Sequence, residues 1–414
     1  MNIPASAPTD SAAPGLLLPA QADRLISENL RNLPIESLPL VQCAGAVLRE
    51  NIYGERDQPP FDRVAMDGIA VDSAAVRAGQ RRFDIQAIQA AGDAPLSLNQ
   101  RAGCIEIMTG AVLPAGCDAV VPVEEISVSA GFASLKEGAT IEAWENVHRR
   151  GSDSRQGALL LAAGTRLSAP EVAIAAGAGM ARVRVSAQPM LAVLSTGNEL
   201  VEPGEPILPH QVRRSNVYGI IGALRHHGFQ RVADDHVRDE PEQMRARLKV
   251  LLDTHDVVIL SGGVSMGRFD LVPSTLTELG VRMVFHRIAQ RPGKPLWFGV
   301  AQSGTAVFAL PGNPVSSLVC LSRYVIPALL AAMGETNPVV RRLALAAPVT
   351  VAKALVQFIP VRTEQDDWGR DWAVPQPTNG SWDFTSLAGT AGFVELPAGP
   401  NTYPKGFVTR LFSW

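Results

Sequence analysis

Between Pro189 and Met333, short apolar runs that stop at small, helix-breaking residues alternate with segments of helical spacing. Leu191 to Leu194, Val257 to Leu260, Val281 to Phe285 and Ala306 to Ala309 read as strands. Ser215 is placed to N-cap a helix through Arg225 that ends at Gly228. Glu240 to Thr254 is a second helix, with Met244, Leu248, Leu251 and Leu252 on one face. Asp270 to Leu279 is a third, and Val315 to about Met333 a fourth. Repeated βα units of this kind predict a mostly parallel sheet covered on both faces.

On either side the pattern changes. From Leu18 to Arg49, apolar residues at Leu25, Leu30, Leu33, Leu38, Leu40 and Val47 are compatible with helices broken by Pro34 and Pro39. From about Asp57 to Glu142 short alternating segments predict a small β-domain. Small apolar residues from Ala169 to Met180 predict a close-packed helix. Beyond Met333 the β texture returns to the end. A chain of 414 residues exceeds what one core organises, so several domains are expected. The Pro-, Ala- and Ser-rich start reads as a disordered lead and not as a signal peptide.

Composition narrows the classes. Hydrophobic residues make up 46% and charged residues 19%. A formal net charge of −3 gives no footing for nucleic-acid binding. Apolar runs such as Ala158 to Ala163 fall short of the roughly 20 residues of a membrane span. Cys43, Cys104, Cys117 and Cys320 lie far apart with no CxxC pair, which argues against a zinc site or disulfide framework and suits a reducing cytoplasm.

The candidate chemistry sits on loops. Ser261-Gly262-Gly263 follows a strand and Leu310-Pro311-Gly312-Asn313-Pro314 precedes a helix, so both are candidate anion cradles. Arg291 and Lys294 lie between them on a Pro-Gly turn, and together these loops suggest a phosphorylated ligand at the carboxyl ends of the strands. Glu199, Asp239 and Asp270 each follow a strand of the same unit. Carboxylates gathered there need a cation, and a hard ion such as Mg2+ would meet that need; separate solvated acids are the other reading. Asp62 and Asp67, Thr109, and Asp153 among His148, Arg149, Arg150 and Arg155 occupy turns that could be plain solvated loops.

Taken in order, F-D-R-V-A-M-D-G, I-M-T-G-A-V-L-P-A-G-C-D-A-V-V, N-V-H-R-R-G-S-D, L-S-T-G-N-E-L, S-G-G-V-S-M-G, R-P-G-K-P and L-P-G-N-P-V-S resemble the molybdopterin molybdenumtransferase family, the bacterial MoeA proteins and the E domain of gephyrin. The resemblance runs from about Leu18 to the C-terminus. It implies a multidomain α/β plus β fold: a lead over 1–17, an extended domain from 18–54 and 146–187, and an inserted β-domain over 55–145. An α/β molybdopterin-binding domain resembling molybdopterin adenylyltransferases would span 188–335, and a C-terminal β-barrel-like domain 336–414.

The implied reaction inserts molybdate into adenylylated molybdopterin with release of AMP, dependent on Mg2+, in a cytoplasmic homodimer. Molybdopterin adenylyltransferase or apo-molybdoenzymes are possible partners, with no nucleic acid or membrane. By the same resemblance Gly262, Gly263, Ser265, Arg291 and Lys294 hold phosphates, and Pro311, Gly312, Asn313 and Pro314 shape the pocket. Glu199, Asp239 and Asp270 carry the metal or the attacking water. Asp62, Thr109, Asp153 and Asp270 are the implied catalytic set, and Arg362 with Ser381 an oxyanion site. The chain departs from the family at Arg63, Val64, Ile69, Glu106, His148 and Arg291. A non-catalytic molybdopterin carrier, a tungstate-preferring paralogue and an adenylyltransferase remain alternatives.

Overall fold

The computed structural model describes residues 16–264, 271–336, 338–351, 355–399 and 402–414. At its centre is a six-stranded sheet whose spatial order is Val232–Val237, Leu191–Thr196, Val257–Ser261, Ala306–Leu310, Trp297–Val300, Arg282–His286. Only Trp297–Val300 runs against the other strands. Along each central strand successive side chains go to opposite faces. Leu191, Val193, Val257 and Ile259 pack against the helices Asn216–His226 and Pro314–Ala332. Ala192, Leu194, Val258 and Leu260 pack against Pro241–Thr254 and Leu271–Glu278. Two-sided burial explains why these strands read as unbroken apolar runs.

The Pro314–Ala332 helix has the length and mean hydropathy, 1.7, of a membrane span, but 72% of it is buried within the protein. Its apolarity is that of a core helix. One turn, Leu321–Val325, widens to π geometry.

Three further β units flank this domain. The segment after Asp57 forms a six-stranded sheet ordered Ala119–Pro122, Gly68–Val71, Gly103–Ile107, Arg82–Gln89, Phe132–Leu135, Ile126–Ser129, with one short helix, Ser73–Arg77. In the C-terminal region Val356–Gln365 pairs with both Asp371–Pro375 and Gly392–Leu396, so the sheet closes on itself like a barrel. Gln290–Arg291, from the central domain, adds to it beside Val356 and Gln357.

The third unit corrects the expectation of helices from Leu18 to Arg49. One helix, Pro19–Asn29, is present, and it contributes Ala22 and Ile26 to the central core. Ile35–Pro39 is instead a strand, antiparallel to Arg182–Ser186. Pro34 biases its neighbour away from helix, and a proline can end a strand where its missing N–H is not needed. Ser215 does occupy the N-cap position, but its hydroxyl makes no capping bond.

Candidate functional site

The first strand of the central domain lies between the second and third, so the chain reverses its winding direction beside it. Ligands of open α/β sheets bind at the carboxyl ends of strands at such a point. Here that rim opens a cleft of about 720 Å³. Its lining includes Thr196, Glu199, Asp239, Gly262, Gly263 and the turn from Pro311 to Pro314. The predicted carboxylates Glu199 and Asp239 and the two candidate cradles are thus brought together. Ser265 and Asp270 lie outside the described residues.

The loops are held by bonds that sequence spacing does not reveal. The Gly262 N–H donates to the Leu310 carbonyl at 3.2 Å, so this amide is already engaged. The two turns touch, since a Cβ on Gly312 would lie 3.6 Å from the Gly262 Cα. Asn216 Nδ2 donates to Ser261 Oγ at 3.0 Å and to the Gly312 carbonyl at 2.8 Å, clamping both turns. Arg214, only 4% exposed, donates to Ser195 Oγ and the Asp235 carbonyl, each at 2.7 Å, and pairs with Asp234 and Glu202. Burial pushes the Glu202 carboxyl up, but bonds from Tyr218 and Arg214 outweigh it and hold the group below its ordinary range. Asn216 and Arg214 escaped the sequence reading; their one signal is the polar run R-R-S-N at the start of an apolar helix.

A second cleft, about 670 Å³, shares Pro295, Pro311 and Asn313 with the first. Arg291, Lys294, Ser381 and Trp382 line it, so the predicted cations and one oxyanion candidate meet between the central and C-terminal domains. Arg362 is not part of that lining; Pro360, two residues earlier on the same strand, is. The cation turn is pinned from beneath. Buried Gln290 donates to the carbonyls of Pro292 and Gly293 at 3.2 Å, and the Tyr324 hydroxyl donates to Gln290 Oε1. Tyr324 itself lies in the π turn, a feature frequent at functional sites.

The remaining predicted residues lie in local polar groups elsewhere, and none of Asp62, Thr109 and Asp153 lines either cleft. Asp62 accepts from the Arg150 N–H at 2.8 Å. Thr109 donates through its N–H and hydroxyl to one oxygen of Asp67, at 2.6 and 2.7 Å, which holds that carboxyl below its ordinary range. His148 bridges Arg63 on Nδ1 at 3.0 Å and Asp153 on Nε2 at 2.7 Å. Asp57, unremarked in the sequence, accepts from Gln156 N–H and Arg150 Nε, bonds that lower its pKa. Two departures from the family pattern belong to packing, because Val64 and Ile69 are fully buried in the cores of this unit.

Among the described residues no group of three or more His, Cys, Asp or Glu side chains is arranged to hold a metal by itself. Two carboxylates beside an anion cradle do suit Mg2+, which is usually bound by one or two carboxylates together with phosphate oxygens and water.

Comparison with known proteins matches three regions of the chain. Residues 18–179 match the MoeA N-terminal region (domain I and II), 192–331 a probable molybdopterin binding domain, and 342–408 the MoeA C-terminal region (domain IV). The molybdopterin molybdenumtransferase of Synechocystis sp. is 36% identical over 95% of this chain and 99% of its own. That of Synechococcus elongatus is 33% identical over 90% and 93%. The crystal structure of a molybdopterin biosynthesis MoeA protein from Pyrococcus horikoshii superposes with a TM-score of 0.78 at 31% identity, covering 96% of this chain and 99% of that one. With the ordered motifs, the fold and the rim cleft in agreement, the chain belongs to the molybdopterin molybdenumtransferase family, transferases of molybdenum cofactor biosynthesis.

Proposed function

We propose that this protein inserts molybdate into adenylylated molybdopterin and releases AMP, in a Mg2+-dependent reaction carried out by a cytoplasmic homodimer. The observation that carries the reading is the meeting of two carboxylates, two anion-friendly turns and two cations at adjoining clefts on one sheet rim. The Gly262–Gly263 turn and the Pro311–Pro314 turn bind the substrate's phosphate region and fix its orientation, and Arg291 and Lys294 neutralise phosphate charge. Glu199 and Asp239 would hold a magnesium ion, joined by Asp270, which lies outside the described residues. That ion supplies charge neutralisation at the phosphates.

Water attacks the adenylyl phosphorus and the bond from that phosphorus to the bridging oxygen breaks. The bridging oxygen stays with the pterin phosphate, and AMP departs carrying the water's oxygen while a proton is released to solvent. Molybdate enters beside Ser381, which lines the same cleft as the two cations, and its entry is coupled to the cleavage. Asp62, Thr109 and Asp153 reach this cleft from the second subunit, which accounts for their separation from it within one chain. Molybdopterin adenylyltransferase, as supplier of the activated pterin, and apo-molybdoenzymes, as recipients of the product, are the protein partners this chemistry calls for.

The test mixes purified protein with adenylylated molybdopterin and follows AMP. Release stimulated by molybdate and by Mg2+ is the expected result; tight pterin binding with no AMP release would refute the reaction and leave a carrier. Heterodimers pairing Asp62→Asn with Lys294→Ala subunits retain about one working site if the second subunit completes the cleft, and none if each subunit acts alone.

A further inference from the structure

Trp382 lines the second cleft with 67% of its surface exposed. A large aromatic side chain left in water forgoes the gain of burial, about 25 cal/mol for each Å² of apolar surface. Here it is also held in place. Its six-membered ring lies over Gly380: a Cβ at that position would come within 2.8 Å of Cη2 and Cζ3. Gly380 has φ +134°, so only glycine gives the ring both the backbone turn and the space.

The flanking residues are anchored on both sides. Ser381 accepts from Asn313 Nδ2 at 2.8 Å, and its carbonyl accepts from the Val315 N–H at 3.1 Å, joining this loop to the turn that lines both clefts. Asp383 accepts from the Asn379 N–H and the Thr385 hydroxyl, each at 3.0 Å. The indole is therefore exposed on a fixed loop and shares the lining of the second cleft with Arg291, Lys294 and buried Phe358.

We infer that Trp382 is a stacking platform for a planar fused nitrogen heterocycle whose attached phosphate is held by Arg291 and Lys294. This rests on the reading of the clefts as the substrate site and names a specificity residue within it. A rigid aromatic loses little freedom on binding, and stacking on a base contributes enough that its removal weakens binding on the order of tenfold. Two parts of the proposed substrate have this chemistry, the pterin and the adenine.

The test is calorimetric titration of wild type, Trp382→Ala and Trp382→Phe with AMP in one arm and molybdopterin in the other. Because Trp382 is exposed, the alanine variant keeps its fold, which circular dichroism and unfolding midpoint verify. The expected result is a loss of roughly tenfold or more in one arm with alanine and near-wild-type affinity with phenylalanine. The arm affected identifies the heterocycle. Equal affinities of wild type and Trp382→Ala in both arms overturn the platform while leaving the clefts as the substrate site. Failure of wild type to bind either ligand overturns the site reading and the platform with it.

Discussion

Gly293, at the heart of the cation turn, offers a test whose size follows from the geometry. Its φ is +87°, and a Cβ there would lie 2.5 Å from Cys320 Sγ and 2.8 Å from Gln290 Nε2. Both neighbours are buried, with relative exposures of 0% and 1%, so neither can swing into solvent. Alanine in a left-handed conformation costs about 1–2 kcal/mol. Forcing a methyl group into a filled core adds roughly 1–3 kcal/mol. Gly369 is a built-in control, with φ +73° and nothing within 4 Å of its notional Cβ, so Gly369→Ala carries only the backbone cost. Equilibrium urea unfolding should therefore rank wild type above Gly369→Ala above Gly293→Ala. AMP titration should show Gly293→Ala alone weakened, roughly tenfold if one charge-assisted phosphate bond is lost. Equal stability of the two variants, or unchanged AMP affinity in Gly293→Ala, would refute the argument that this glycine sets the position of Arg291 and Lys294.

Tyr324→Phe deletes the hydroxyl that holds Gln290; KM for the adenylylated substrate should rise while kcat changes little, and steady-state kinetics decide. Glu199→Gln and Asp239→Asn should each raise the Mg2+ concentration for half-maximal AMP release, and an unchanged Mg2+ titration would remove them from the metal site. Asp57 and Asp67 are both held below the ordinary aspartate range by hydrogen bonds. Their contribution is thus complete above the unfolded value of about 3.9 and disappears as pH falls through the lower folded values. Hydrogen exchange at the Thr109 and Gln156 amides, corrected for intrinsic rates, should show protection that persists through the ordinary aspartate range and weakens only below it, and loss of protection within that range would refute the lowered values.

The central domain was legible because its strands are buried on both faces, so Val257 to Leu260 and Ala306 to Ala309 announce themselves as continuous apolar runs. Its loops were legible for a related reason, since Gly262, Gly263 and Pro311 to Pro314 interrupt those runs where a sheet must turn. The strand Ile35–Pro39 was not. Its partner, Arg182–Ser186, is remote in sequence and its own residues are largely exposed, so no local periodicity marks it. Asn216 was hidden for a similar reason: it is unremarkable at a helix start until folding sets Ser261 and the Gly312 carbonyl against its amide. Arg214 lay hidden too, because a buried arginine is intelligible only with its partners in place. The stretches around Asp62 and Asp153 offered turn residues alone; the bond of Asp62 to Arg150 depends on a meeting of two remote chain segments, while that of Asp153 to His148 is local.

The short strand Gln290–Arg291 has a consequence for the order in which the protein comes into being. It belongs by chain position to the central domain, yet its ladder partners are Val356 and Gln357. On the ribosome the central sheet can assemble as soon as Leu310 has emerged, well before those partners are made. The nascent domain would then carry its glycine turns and a cation turn held only by central-domain contacts such as those of Gln290 and Tyr324. Completion of the last domain adds the ladder to Val356 and Gln357, so a chain truncated before it should fold its central sheet yet hold the cation turn less firmly.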